Sequence, residues 1–168
     1  EFHNATVQGI DQVDVKKAKI RGYIAQPAGN LVFAGFSGRG KTYAAAAVAD
    51  ALLHRGIQVR YFLDSDLMRR HDALRWENRG KLMTLLQSLE EVPALFIDDF
   101  GITKPSEGYA DFMFNVLQKR YSHASPTIIT TNRSSQELEG LFGSALVSRL
   151  TAGLCLKFDG PDRRKKAF

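Results

Sequence analysis

Cysteine, tryptophan and long apolar runs are nearly absent from this chain of 168 residues. The one cysteine excludes an internal disulfide and a zinc site built from several cysteines. Cys155 stands between Leu154 and Leu156, a setting that predicts a buried and chemically inert thiol. No apolar run approaches the about 20 residues of a membrane-spanning helix. No signal peptide opens the chain at Glu1, so we expect a cytoplasmic protein that does not bind a membrane.

The charge of the chain has only a modest excess of one sign. There are 23 lysines and arginines against 18 aspartates and glutamates, which gives a net charge of +5. Such an excess is compatible with an anionic partner and equally with an ordinary solvated surface. Hydrophobic residues make up 44% and charged residues 24%, and this composition excludes a disordered or fibrous chain. The length fits one domain of ordinary size, with or without a short appendage.

Short apolar segments alternate with longer helical patterns, and this alternation predicts an α/β fold with a mainly parallel sheet. The predicted strands are residues 30–34, 57–63, 94–97, 127–131 and 154–158. Helices are predicted over residues 13–23, 41–54, 81–90, 109–123 and 143–150. Asp64 or Ser65 is predicted to cap a further helix that runs through Met68. Ser134 and Glu137 form a capping-box pattern that predicts a short helix.

The strongest motif follows the first predicted strand and opens the next helix. It reads Gly35-Phe36-Ser37-Gly38-Arg39-Gly40-Lys41-Thr42. This is the GxxxxGK[ST] pattern of a P-loop, in which backbone N–H groups and a helix N-terminus surround phosphate oxygens. For bound ATP or ADP, we expect Lys41 to reach the β-phosphate and, in ATP, the γ-phosphate as well. The Thr42 hydroxyl is expected to bind Mg²⁺. The adjoining Tyr43 completes the predicted nucleotide-binding residues.

Two carboxylates follow the third predicted strand. Asp98 and Asp99 come directly after an apolar segment, and ligands of open α/β sheets bind at the carboxyl ends of the strands. Asp98 is predicted to lie on the Mg²⁺ side, and Asp99 to orient or deprotonate the attacking water. Alone, such a pair is more typical of a simple turn. With a P-loop upstream, the catalytic interpretation is favoured.

Asn132 and Arg149 are further candidates for catalysis. Asn132 follows the fourth predicted strand, and its amide would contact the γ-phosphate or its water if that strand lies between the first and third. The alternative is that Asn132 only turns the chain. Arg149, in a late helix, would stabilise transition-state charge on the ATP of a neighbouring subunit. Considered alone, Arg149 is better explained as an ordinary surface arginine.

Together these motifs resemble the AAA+ ATPases of the DnaC/DnaI helicase-loader and IstB transposition-helper group. The motifs appear in the group's order as Gly35–Thr42, Asp98-Asp99-Phe100-Gly101, Thr130-Thr131-Asn132-Arg133 and Ser148-Arg149-Leu150. The opening Phe2-His3-Asn4 is similar to the stretch that precedes the ATPase core in this group. The resemblance implies Walker A and Walker B motifs, a sensor 1 residue at Asn132 and an arginine finger at Arg149. It also implies a sensor-2-like residue in the tail, at Arg164 or at Arg163.

The resemblance implies a three-layer P-loop NTPase fold of the AAA+ or RecA-like type, with five strands and a minimal or absent lid. Residues 1–29 would be a lead-in and residues 30–168 the ATPase domain with a short basic tail. The group's loaders carry a helicase-binding region ahead of this domain, and we expect that region to be missing here. Many AAA+ proteins have glutamate where Asp99 stands, so hydrolysis is expected to be slow and dependent on assembly.

A basic segment with the single tryptophan follows the second predicted strand. Its candidate DNA-binding residues are Arg69, Arg70, Arg75 and Trp76. Arginines neutralise phosphates and an aromatic ring stacks on an unpaired base. In the resembling proteins a helix at this place lines a channel for single-stranded DNA. The alternative is a solvated helix, and for Trp76 burial against the core is the favoured reading of the sequence.

Four functions compete on this basis. The first is a DnaC-like loader that assembles head-to-tail, holds single-stranded DNA and delivers a hexameric replicative helicase. The second is an IstB-like transposition helper that binds duplex DNA and a transposase. The third is a small-molecule P-loop kinase, which would need no arginine from a neighbour. The fourth is an ATP-gated clamp without turnover.

Overall fold

A computed structural model describes residues 5–10, 14–160 and 162. Five parallel strands form one sheet, as predicted. In chain order they are β1 (Asn30–Ala34), β2 (Val59–Leu63), β3 (Ala94–Asp98), β4 (Thr127–Thr131) and β5 (Leu154–Lys157). In the sheet the strands lie in the order β2-β3-β4-β1-β5. Strand β4 therefore lies between β3 and β1, the neighbourhood that the prediction for Asn132 requires.

Helices connect the strands and cover both faces of the sheet. They are α1 (Asp14–Ala25), α2 (Lys41–His54), α3 (Asp64–Glu77), α4 (Arg79–Glu91), α5 (Tyr109–Ser122), α6 (Ser135–Phe142) and α7 (Ser144–Thr151). None of the helices in the described ranges is long and apolar enough to span a bilayer. In the described residues that follow β5, no further helix forms.

Each face of the sheet has its own hydrophobic core. On one face, α1 and α2 pack on the sheet, and the alanines of α2 allow close approach to buried Phe33 and Phe96. On the other face, α3 to α7 pack around Ile97, Ile129 and Phe100. Because β1, β3 and β4 are covered on both sides, their side chains are almost all buried, as parallel central strands require. This is the predicted three-layer fold.

Both edge strands are shorter than predicted. The predicted start of β2 at Ile57 is wrong because the Ile57 N–H donates to the Leu52 carbonyl and closes the end of α2 instead. The prediction that Cys155 is buried is also wrong. Strand β5 is an edge strand in which Leu156 is buried while Cys155 and Lys157 are exposed. The apolar neighbours of Cys155 in the sequence point to the other side of the strand.

The start of α3 differs from the prediction. Neither Asp64 nor Ser65 caps the helix, because α3 begins at Asp64 itself and no side-chain capping hydrogen bond forms at its N-terminus. The Asp64 carboxylate is buried and accepts hydrogen bonds from Gly101 and Tyr109. The predicted capping box does form, with Ser134 accepting from the Glu137 N–H and the Glu137 carboxylate accepting in return.

Candidate nucleotide-binding site

The glycine-rich turn between β1 and α2 leaves backbone N–H groups without side-chain caps. Strand β1 ends at Ala34 and α2 begins at Lys41. Gly40, the residue before α2, has φ 81° and no side chain to satisfy the first helical N–H groups. A side chain at this position would be strained, which explains why glycine stands there. Phe36 and Ser37 at the tip of the loop are exposed. A helix start of this kind favours anions.

Lys41 places a positive charge inside this turn. Its side chain is only 5% exposed, and its Nζ donates to the Phe36 carbonyl at 2.9 Å across the loop. A buried ammonium requires hydrogen bonds or a nearby negative charge. The loop, the helix start and Lys41 together therefore form a site that suits phosphate groups.

The loop meets the carboxyl end of β3 through Thr42 and Asp98. The Thr42 hydroxyl donates to Asp98 Oδ1 at 3.1 Å, and the Asp98 carboxylate is 5% exposed. A hydroxyl and a carboxylate in contact are the hard oxygen donors that Mg²⁺ prefers. Among the described residues no group of three or more His, Cys, Asp or Glu could hold a metal. The donor pair therefore fits an ion that takes its other ligands from phosphates and water.

Thr130 on β4 fixes both acidic residues, and the sequence predictions gave it no role of its own. Its hydroxyl donates to Asp98 Oδ1 and accepts from the Asp99 N–H at 2.8 Å. The neighbouring Thr131 hydroxyl donates to the Phe100 carbonyl at 2.8 Å. Asp99 has φ 57°, a left-handed conformation that is uncommon for residues other than glycine. The two hydroxyls of β4 therefore hold a tight turn around Asp99. Their signal in the sequence was a pair of threonines at the carboxyl end of the strand, directly before Asn132.

Asn132 follows β4 and lies beside the glycine-rich loop. It lines, with Gly35, Phe36 and Arg39, a cavity of about 610 Å³. Its Oδ1 is buried and has no hydrogen-bond partner among the described residues. Buried polar atoms without a partner are rare in folded proteins. The position suits an amide that contacts a ligand bound at the loop.

Segments from both ends of the described chain contact the loop region. Arg39 pairs with Asp159 at 3.9 Å, and Tyr43 accepts a hydrogen bond from the Thr6 N–H at 3.2 Å. Tyr43 thus connects the N-terminal segment to α2 next to the loop. The predicted sensor-2-like residue Arg164 lies outside the described residues.

Arg149 lies at the opposite end of the sheet from the loop of its own chain. Its backbone carbonyl accepts from Asn30 Nδ2 at 2.7 Å, and Asn30 begins β1. About 13 Å of strand separates Asn30 from Ala34, where the loop starts. The guanidinium donates to Gln118 and lies over the Tyr121 ring at 5.5 Å. The structure therefore does not bring Arg149 to the site with the other candidates within one chain.

The expectation that Trp76 packs on the core is wrong, because its side chain is 78% exposed. The core face of α3 carries the buried residues Leu67 and His71. Trp76 does not belong to that face, and its side chain lies in solvent. Arg75 lies over the Trp76 ring at 5.0 Å and also binds Glu107.

The candidate arginines of α3 differ in their surroundings. Arg69 pairs with Asp66 on its own helix. Arg70 lines a groove of about 280 Å³ together with Arg60 of β2 and Lys81 of α4. The remaining lining residues are Leu74, Thr84, Leu85 and Ser88, so the groove has no acidic lining residue. The sequence predictions missed Arg60 and Lys81 because only the folded sheet edge brings them to Arg70.

Comparison with known proteins gives one family and several relatives. The sequence profile described as IstB-like ATP binding protein matches residues 1–154. A putative ATP-binding protein of insertion sequence IS5376 from Geobacillus stearothermophilus is 30% identical over 119 residues, 71% of this chain and 46% of that protein. The replicative helicase loader DnaC of Escherichia coli K12 is 30% identical over 156 residues, 90% of this chain and 63% of that protein.

A solved structure shares the whole architecture. A crystal structure of the DnaC helicase loader superposes with a TM-score of 0.82 at 26% identity, covering 94% of this chain and 98% of that chain. The five-stranded sheet and its helices therefore match a P-loop AAA+ structure. This chain spans only part of the length of the two sequence relatives.

Proposed function

The chain belongs to the family of IstB-like ATP-binding proteins, and from that premise we propose that it is the ATP-hydrolysing domain of a DnaC-like helicase loader. Its family binds ATP and its fold is that of AAA+ domains. Beyond ATP binding and the fold, we propose that the protein hydrolyses ATP, assembles head-to-tail and binds single-stranded DNA. The proposal places ATP or ADP at residues 35–43 and Mg²⁺ at Thr42 and Asp98.

In the proposed reaction, the protein positions phosphates and water more than it forms bonds. Lys41 and the N–H groups of the loop offset the charge of the β- and γ-phosphates. Asp99, held by Thr130, orients the attacking water and accepts its proton. Asn132 offers an amide to the γ-phosphate or to that water. Mg²⁺, held by Thr42 and Asp98, would supply further charge neutralisation. The Asp99 side chain is one methylene shorter than glutamate, so slow turnover is expected.

Assembly completes the proposed site. Arg149 lies at the far end of its own sheet, so only a neighbouring copy can present it to the phosphates. A head-to-tail contact of this kind is heterologous and generates a ring or an open helical filament. Arg149 would then stabilise transition-state charge as arginine fingers do.

The proposed assembly binds single-stranded DNA through α3 and delivers a hexameric replicative helicase in the cytoplasm. Support for DNA comes from the exposed Trp76 and from the groove of Arg60, Arg70 and Lys81. Proteins bind single strands mainly by stacking bases on aromatic rings and by neutralising phosphates with basic side chains. The helicase contact is assigned to sequence outside this chain, by analogy with the longer relatives.

The observation that carries the proposal is the contact between Thr42 and Asp98, which joins the loop to the acidic strand end. Its test is titration of the chain with a fluorescent ATP analogue and Mg²⁺, followed by measurement of phosphate release. We expect Lys41→Ala to lose nucleotide binding at least about a hundredfold, because a buried charge-assisted contact to phosphate is lost. Lys119→Ala, an exposed lysine on α5, is the matched control and should bind normally. Equal affinity in both variants would contradict the proposed site.

The second candidate is an IstB-like transposition helper, favoured by the family description and by the relative from insertion sequence IS5376. This reading keeps the same ATP site and replaces the partners by duplex DNA and a transposase. Parallel pull-downs with a hexameric replicative helicase and with a transposase separate the two. ADP formation that requires a small acceptor, with the phosphoryl group transferred to that acceptor, would instead favour a kinase. ATP binding without phosphate release under all assembly conditions would favour a clamp.

A further inference from the structure

One face of α3 is bound along its length to the segment that follows Asp99. Asp64, Met68, Asp72 and Arg75 are spaced by three or four residues, so they lie on one side of the helix. Their partners are Gly101 and Tyr109 for Asp64, Ser106 for Met68 and Asp72, and Glu107 for Arg75. We call this row of contacts the α3 seam. It joins the helix with the proposed DNA-binding residues to the segment that leads from the proposed catalytic turn.

Asp64 is the seam residue closest to the catalytic turn. Its carboxylate is 3% exposed, and Oδ2 accepts the Gly101 N–H at 3.0 Å. Oδ1 accepts the hydroxyl of fully buried Tyr109 at 2.7 Å. Burial raises the pKa of the Asp64 carboxyl, while the two hydrogen bonds lower it. A buried carboxyl group is costly unless its oxygens accept hydrogen bonds, and both oxygens of Asp64 do so.

The Gly101 N–H lies two residues beyond Asp99, inside the turn that sets the Asp99 side chain. Gly101 has φ 74°, and a β-carbon there would come within 2.5 Å of Leu138. The turn therefore has little room to rearrange. Thr130 and Thr131 hold it from β4, and Asp64 holds it from α3. The side of the turn that faces α3 depends on this one carboxylate.

We propose that Asp64 and Tyr109 are positioning residues for ATP hydrolysis: Asp64 holds the Gly101 amide, Tyr109 holds Asp64, and the Asp99 turn thereby follows the position of α3. This inference rests on the proposed ATP hydrolysis. Neither residue touches nucleotide in this arrangement. A ligand that shifts α3, such as a single strand at Trp76, would alter turnover through the α3 seam.

The test compares Asp64→Asn and Tyr109→Phe with the unchanged chain. Asparagine keeps the size of the side chain but replaces one carboxylate oxygen by an NH₂ group. That group cannot accept the Gly101 N–H, and it can pair with the Tyr109 hydroxyl only if the hydroxyl turns and accepts instead of donating. Tyr109→Phe removes one hydroxyl and keeps the buried ring. Tyr23→Phe is the matched control, because the buried Tyr23 hydroxyl donates to the Gly29 carbonyl at 2.8 Å on the other face of the sheet.

We measure the affinity for an ATP analogue, kcat per nucleotide-binding site and the change in kcat on adding single-stranded oligonucleotide. Both seam variants should keep analogue affinity within about twofold and lose at least about tenfold in kcat, as displaced catalytic groups do. The oligonucleotide should no longer change their kcat, while Tyr23→Phe should behave as the unchanged chain.

A purely structural role predicts something else. Unchanged kcat per site in Tyr109→Phe, or equal losses in Tyr109→Phe and Tyr23→Phe, would overturn the positioning role even if Asp64→Asn fails to fold. Absence of phosphate release from the unchanged chain, under all assembly conditions, would instead overturn the proposed function and this inference with it.

Discussion

Thr130 shows how a motif residue to which the sequence assigned no role shapes the site. A single buried hydroxyl donates to the Asp98 carboxylate and accepts from the Asp99 N–H, so it joins both acidic residues to β4. Because Asp98 also accepts from Thr42, the loop, β3 and β4 meet at this carboxylate. The geometry of the two acids thus depends on a neutral side chain.

Thr130→Val should separate turnover from binding. Valine keeps the shape but leaves the partly buried Asp99 N–H without its acceptor, which costs about 1 kcal/mol of unfolding free energy. We expect kcat to fall while affinity for an ATP analogue stays near that of the unchanged chain, as measured by phosphate release and titration. Thr127→Val is the control, since Thr127 is equally buried on the same strand and accepts from Arg120. A similar loss of kcat per site in both variants would contradict the role given to Thr130.

At the level of elements, the central strands were predictable and the edges were not. Strands β1 and β4 and helix α2 have the predicted bounds, because breaking residues or a glycine-rich turn mark their ends and both strands have an apolar middle. The predictions for the edge strand β5 and for helix α3 were wrong because burial there depends on tertiary packing. Whether Cys155 is buried depends on which face of β5 a helix covers, and whether Trp76 is buried depends on the side of α3 that meets the core.

The same limit applies to the candidate site. The P-loop and the two aspartates could be predicted because their spacing is local and their residue types are restricted. The contacts made by Thr130 and Asp64 could not, since they join strands and helices more than thirty residues apart. Tyr109 was read only as the start of a helix, yet it lies fully buried against Asp64.

Helix α3 is expected to bind single strands through its exposed ring. Trp76→Ala should weaken binding of a single-stranded oligonucleotide by about 1–3 kcal/mol, the usual contribution of a stacked base, measured by fluorescence anisotropy. The melting temperature should barely change, because the side chain has little contact with the core. Leu53→Ala on α2 removes a comparably exposed apolar side chain and serves as control. Equal affinities for the oligonucleotide would remove Trp76 from the proposed interface.

In the whole molecule, the two ends of the parallel sheet have different proposed roles. The carboxyl ends of β1, β3 and β4 bring together the loop, Asp98 and Asn132. The amino end of β1 holds the backbone of Arg149 through Asn30. The proposed site, divided in this way, would be complete only when one end of one copy meets the other end of the next copy.

Mixing two inactive variants tests this divided site most directly. Lys41→Ala should not bind ATP but still carries Arg149, whereas Arg149→Ala should bind ATP and lack the finger. Each alone should release little phosphate. If copies contact head-to-tail, the mixture should regain phosphate release, because Lys41→Ala supplies Arg149 to the ATP bound by Arg149→Ala. No gain on mixing, or full phosphate release by Arg149→Ala alone, would contradict the account.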